Sequence, residues 1–176
     1  LSKDMDNTLA IDTRRLWSFL EATQSEELAK YKGGDIRRDL PNRIKNTIDQ
    51  FGVLTALRKP IEILNIKLNL FYPKPTASDS EEARRLYSQN QFSITRQLTF
   101  SERRPGLEID MAIFVNGIPL FTIELKNPWT YQTAKYDGEE QYRKERDPRE
   151  TLLKFGHCLA HFTMDKDEVY FTTKLD

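Results

Sequence analysis

Residues 108–128 read EIDMAIFVNGIPLFTIELKNP. Two arms, GLEIDMAIFV and PLFTIELK, alternate apolar and polar residues on either side of Asn116-Gly117, the period-two pattern of paired strands. Ile109, Met111, Ile113 and Val115 form one face of the first arm; Pro119, Phe121, Ile123 and Leu125 form one face of the second. A slip of one residue would expose one of these sets, so both share a face. Ile113 then opposes Phe121, and Met111 opposes Ile123. On the other face Asp110 opposes Glu124, and Lys126 points the same way as Glu124. A plain two-residue Asn-Gly turn would join residues of opposite parity. The spacing therefore predicts a three-residue loop, Asn116-Gly117-Ile118 with Gly117 left-handed, or a bulge elsewhere.

Two carboxylates directly opposed on a strand pair repel each other and need compensation. A divalent metal supplies it, because Mg²⁺ is held by one or two carboxylates plus water and phosphate oxygens. A lysine beside the pair can stabilise transition-state charge or orient a water. The hairpin by itself equally suits an exposed sheet face on which Lys126 pairs with Glu124.

Working outward, Thr13 to Lys32 has helical periodicity through Leu16, Trp17, Leu20, Leu28 and Tyr31, and Gly33-Gly34 ends it. A second helix is expected over Leu40 to Ala56, with Pro41 near its first turn. EILNIKLNLFY reads as one strand with a buried face, and a short helix follows near Glu81 to Ser88. FSITRQLTF is a strand, Asp137 to Glu145 is helix-friendly, and HCLAHFTMDKDEVYFTTKL gives two closing strands joined at DKDE. This order predicts an α/β (α+β) domain with a mixed central sheet flanked by helices. Residues 1–60 form an N-terminal helical extension and 61–176 the core.

The 176 residues suit one domain, and 27 basic residues balance 27 acidic ones, so net charge carries no nucleic-acid signal. Leu28 to Pro60 is locally basic. It reads either as a phosphate-tracking stretch or as a solvated helix face. One cysteine, Cys158, excludes an intrachain disulfide framework and suits a reducing compartment. There is no signal peptide or membrane-length apolar run, and the chain, beginning at Leu1, reads as a piece of something longer.

His157 and His161 could chelate a metal on a helix, but on a strand they stand about 13 Å apart. No further His or second Cys completes a zinc set. Arg96 shares strand parity with Phe92, Ile94, Leu98 and Phe100, which favours a half-buried arginine paired with a carboxylate or carbonyl over one contacting phosphate. Trp129 and Tyr131 could stack on bases but read better as cover for the sheet edge.

The spacing D-x₁₃-E-x-K on adjacent strands resembles the PD-(D/E)xK nucleases. NGIPLFTIELKNP, EEQYRKERDPRETLLKF, CLAHFTMDKDEVYFTTKL and FSITRQLTF, with FLEATQSEELAKY earlier, resemble the N-terminal nuclease domain of the R subunit of type I restriction enzymes. That resemblance covers nearly the whole chain. It implies an αβββαβ restriction-endonuclease-like core in which Asp110 and Glu124 hold Mg²⁺, with the Leu125 carbonyl as a further ligand and Lys126 as the catalytic lysine. It assigns Gln141, in EEQYRKER, to the family's glutamine. Some relatives carry a tyrosine four or five residues beyond; here Glu145 and Arg146 stand there, and Arg143 and Arg146 are candidates for DNA phosphates. QTAKY, Gln132 to Tyr136, matches Q-x-x-x-Y by chance. The implied function is cleavage of double-stranded DNA within a cytoplasmic complex with methyltransferase and specificity subunits. No phosphate loop is present, so an ATP-driven motor belongs elsewhere in the parent chain. The alternative is a DNA-clamping or assembly module that keeps the nuclease fold without cutting.

Overall fold

The computed structural model describes residues 4–127 and 133–175. The chain begins with a two-residue pairing of β1 (Met5–Asp6) and β2 (Ile11–Asp12), then α1 (Thr13–Ala29), α2 (Ile36–Phe51) and α3 (Val53–Arg58). The hairpin β3 (Ile61–Ile63) and β4 (Ile66–Leu68) follows, then α4 (Glu81–Ser88). The main sheet holds β5 (Phe92–Thr99), β6 (Glu108–Val115), β7 (Ile118–Leu125), β8 (Ala160–Met164) and β9 (Val169–Thr172), side by side in that order. All neighbours run antiparallel except β7 and β8, which are parallel. Between those two the chain forms the wide helical turns Ala134–Gly138 and Gln141–Glu145 and a short 3₁₀ turn, Thr151–Leu153. From α4 onward the order is helix, three strands, helix, strand: a mixed-sheet α+β fold with the expected αβββαβ succession.

Local chemistry explains most boundaries. The Asp12 side chain accepts the Arg15 N–H at the start of α1, and Ser80 accepts the Ala83 N–H at the start of α4. α2 starts earlier than the periodicity suggests, because Asp35 caps it through the Arg37 N–H. Pro41 therefore lies buried in its second turn rather than its first. Gly52, with φ 78°, breaks the expected continuous helix and starts α3. The stretch 61–70 is not one strand. It folds back at Leu64, which adopts φ 49° and is 75% exposed, so that Ile63 pairs with Ile66. The apolar spacing of EILNIKL is the same in both arrangements, so periodicity alone does not reveal the turn.

Two cores result. α1–α3 and the β3–β4 hairpin enclose Leu16, Phe19, Leu20, Leu40, Ile44, Ile48, Ile61, Ile66 and Leu68, and Ile118 at the start of β7 reaches into this cluster. The second core lies against one face of the main sheet and contains Leu98, Phe100, Ile109, Ala112, Phe114, Tyr142, Leu152 and Leu153. The opposite face is apolar but more open: Phe92, Ile94 and Phe171 are exposed, and Phe162 packs against both Phe121 and Phe171.

The β6–β7 register pairs Met111 with Ile123 and Ile113 with Phe121, as the alternation requires. The loop is nevertheless the two-residue one. Asn116 (φ 51°) and Gly117 (φ 82°) make the left-handed turn, and Val115 pairs with Ile118. Parity is recovered by a bulge: Phe114 pairs with Pro119, Ile113 with Phe121, and Leu120 is the extra residue. Ile109 and Phe114 both face the second core, so the single apolar face expected along β6 changes sides midway. Arg96 is exposed rather than half-buried.

Candidate active site at the open end of the hairpin

Away from the Asn-Gly turn, the β6–β7 ladder ends at Met111 and Ile123. One step further the register brings Asp110 to Glu124. Here the Asp110 Oδ2 accepts the Leu125 N–H at 2.7 Å, a side chain standing in for the next backbone rung.

Glu124 lies on the central strand, on the face covered by the second core, and is only 1% exposed. Its compensation comes from Arg146, which the sequence offered only as a candidate contact for DNA phosphate. Arg146 is buried and gives Glu124 Oε1 two contacts, from Nε at 2.8 Å and Nη2 at 2.6 Å. Nη2 also donates to the Glu108 carbonyl at 2.8 Å, and the guanidinium stands 5.8 Å from the Phe100 ring centre. Arg146 is thus a core partner of Glu124 and not a free contact for DNA. Burial pushes the Glu124 carboxyl up to about 7; Arg146 opposes that rise, nearby Asp110 adds to it, and Lys126 opposes it.

Lys126 follows β7 and extends the parallel pairing, its N–H donating to the Met164 carbonyl at 2.8 Å. Its Nζ donates to Gln141 Oε1. The sequence assignments of Lys126 and Gln141 thus converge in space, although 15 positions separate them.

The helical segment that carries Gln141 is wound wide. Gly138 N–H reaches the Thr133 carbonyl and Arg146 N–H the Gln141 carbonyl, both five residues back. Such turns are uncommon and often sit at functional sites. They are anchored along the sheet. Ala134 N–H donates to Asp165 Oδ2 at 2.9 Å, and Thr163 Oγ1 donates to the Ala134 carbonyl at 3.3 Å. Gly138 lies so close over Thr163 that a Cβ would overlap its side chain. Tyr142 Oη meets Thr122 Oγ1 at 2.9 Å, and Thr122 meets His161 Nδ1 at 2.7 Å. Burial holds the His161 imidazole down at about 4 and the Tyr142 phenol far above its ordinary range.

The other candidates disperse. His157 Nε2 contacts Asp49 Oδ1 at 2.7 Å, so the two histidines face different partners. Arg143 pairs with Glu139 on an exposed surface. Tyr136 is 69% exposed; Gln132, Trp129 and Tyr131 lie outside the described residues. Much of the basic stretch is a solvated, internally paired surface: Lys30 with Glu27, Arg37 with Glu21, Arg38 with Asp39 and Lys45 with Asp49.

The donors available to a metal are the Asp110 and Glu124 carboxylates and the Leu125 carbonyl, all hard oxygens of the kind Mg²⁺ takes. Both Arg146 contacts fall on Oε1 of Glu124 and not on Oε2. Among the described residues no three His, Cys, Asp or Glu side chains gather. Two carboxylates and a carbonyl are a donor set that suits a cation keeping several waters.

Among the described residues, no helix is long and apolar enough to cross a membrane. A family model described as type I restriction enzyme R protein N terminus matches residues 17–176. No curated protein matches the chain.

Proposed function

This chain belongs to the type I restriction enzyme R protein N-terminal family, and on that premise we propose that it is the Mg²⁺-dependent endonuclease portion of such an enzyme, hydrolysing DNA phosphodiester bonds. The observation that carries this reading is the meeting of Lys126 and Gln141 beside the Asp110–Glu124 pair. Asp110 and Glu124, with the Leu125 carbonyl, would hold the ion, which would supply Lewis acidity to the phosphate and to a water. Lys126 brings a positive charge to the phosphate as negative charge grows on its oxygens. Gln141 fixes the direction of that ammonium, which would otherwise sample many rotamers. Arg146 holds Glu124 in one orientation through Oε1. The parent enzyme supplies the ATP-driven motor, and methyltransferase and specificity subunits read the DNA.

The test is plasmid cleavage by the complete enzyme with Mg²⁺ and ATP. Lys126→Ala lowers cleavage by at least about 100-fold, the order associated with losing one preorganised charge-stabilising donor. DNA-stimulated ATP hydrolysis stays at the wild-type rate. Wild-type cleavage by the variant refutes the assignment. The buried Glu124–Arg146 pair favours one other reading, a DNA-clamping or assembly module that does not cut. That reading requires the unaltered enzyme to translocate DNA without breaking it.

A further inference from the structure

Asp110 opens onto a groove of about 800 Å³ bordered also by Arg15, Arg96, Gln97, Met111 and Leu125. The β5–β6 ladder is broken at this point. Arg96 pairs with Met111 and Leu98 with Ile109, but Gln97 and Asp110 between them do not pair. Gln97 has φ 49°, a left-handed conformation that a residue with a side chain adopts at a cost. Ladder breaks and backbone strain of this kind gather beside active sites, where they re-aim side chains. Here the break leaves Asp110 free of the β5 edge and puts Arg96 along the same groove.

Two arginines border the groove, and they differ: Arg15 is half-buried and pairs with Asp12. Arg96 is exposed and has no hydrogen bond or ion pair among the described residues. Its cross-strand partner is Met111, the residue after Asp110, so it stands about one strand spacing (~5 Å) and one residue rise (~3.3 Å) from Asp110. The sheet around it on that side is apolar, with Ile94, Met111 and Leu125 as its neighbours in the groove. A cation against low-dielectric walls concentrates field along a cleft and draws anions into it.

Resting on the nuclease reading above, we propose that Arg96 binds a DNA phosphodiester next to the one being cut. A strand whose scissile phosphate lies at Asp110 continues along the groove and meets the guanidinium at a neighbouring phosphate. Arginine suits this position because its planar fork can bond two phosphate oxygens together. Arg96 is here a substrate-positioning residue and takes no part in proton transfer or metal binding.

The experiment compares plasmid cleavage by the complete enzyme carrying wild-type chain, Arg96→Ala, Arg96→Lys or Lys126→Ala at two salt concentrations. A phosphate contact contributes about 0.9 to the log–log salt slope on duplex DNA, so its loss makes the slope shallower by that amount. Arg96→Ala then cleaves about tenfold more slowly than wild type at ~50 mM salt and only about threefold more slowly at ~200 mM. Arg96→Lys, which keeps the charge, recovers most of the salt slope. DNA-stimulated ATP hydrolysis and melting temperature stay at wild-type values in both. Wild-type cleavage by Arg96→Ala at both salts, with Lys126→Ala inactive, overturns this proposal and leaves the nuclease reading standing. An equal loss at both salts that lysine does not restore also overturns it, since that pattern belongs to a structural defect. Wild-type cleavage by Lys126→Ala removes the nuclease reading and this proposal with it.

Discussion

The two ends of the β6–β7 hairpin are built on opposite terms. At the turn end Asn116 is fully buried and bonded throughout. Its Nδ2 donates to the Leu70 and Asn90 oxygens, both at 2.9 Å, and its Oδ1 accepts the Gln91 N–H at 2.7 Å. Asp12 N–H closes on the Gly117 carbonyl at 2.9 Å. At the other end the ladder stops, a carboxylate replaces a backbone rung, and the buried charges are compensated in part by Arg146. One end spends its polar groups on holding two cores together. The other gathers two carboxylates, an arginine and a lysine, the groups on which the proposed chemistry rests. The difference teaches that stability and chemistry on this hairpin are separable by about its own length, and three measurements can break or sharpen that separation.

The largest effect is expected at the turn. Gly117→Ala would force a side chain into a left-handed position and against the backbone of Asp12 and Leu16. Conformational strain and overpacking together destabilise the fold by about 3–4 kcal/mol. The urea midpoint reads this loss directly. A loss below about 1 kcal/mol would mean that the turn end is not the rigid one.

Arg146→Ala comes next, because it probes the site end for a structural debt. Removing the guanidinium leaves a buried carboxylate unpaired, at a cost of about 3 kcal/mol. Adding Glu124→Gln removes that charge and restores at least about 1 kcal/mol, so the two losses do not add. Strict additivity in the double-mutant cycle would show that Arg146 stabilises through its Glu108 carbonyl bond and its packing on Phe100, not through Glu124.

The smallest effect belongs to His161, midway along the sheet. Its folded imidazole is held down at about 4, well below the ordinary value of 6.5, by burial. The unfolded chain therefore binds the proton first as pH falls. The associated stability is complete above about pH 6.5 and is lost as pH falls toward 4. At about 1.4 kcal/mol for each unit, the fold loses about 2 kcal/mol between pH 8 and pH 5. His161→Asn removes that part of the slope. An unchanged slope in the variant would assign the acid sensitivity to other groups.

How far the chain was legible varies by element. α4 occupies Glu81–Ser88 as its composition suggests, and the register pairs Met111–Ile123 and Ile113–Phe121 follow from side-chain alternation. β8 and β9 were readable for the same reason. EILNIKL was misread because a strand and a tight hairpin place its isoleucines at the same intervals. Of the candidate site residues, Lys126 and Gln141, which family resemblance singles out, meet in space. Arg146 stood in the same quoted motif as a candidate for DNA phosphate, because nothing in its neighbourhood marks it as buried.

By itself, then, the sequence determined what depends on neighbouring residues: strand periods, the pairing of Met111 with Ile123 and Ile113 with Phe121, and the spacing of Asp110, Glu124 and Lys126. Only the tertiary structure decided how the parity conflict at Asn116-Gly117 was resolved. A three-residue loop and a two-residue turn with a bulge at Leu120 satisfy the same alternation, and the choice rests on contacts from Asp12, Leu70 and Gln91. It likewise decided that Arg146 partners Glu124 and that Arg96 stays unpaired among the described residues. Those outcomes depend on how a wide-turn helix is laid across one face of the sheet and on a strained residue in a facing strand. Charge pairing over such distances is set by the packing of whole elements, which no local pattern of residues encodes.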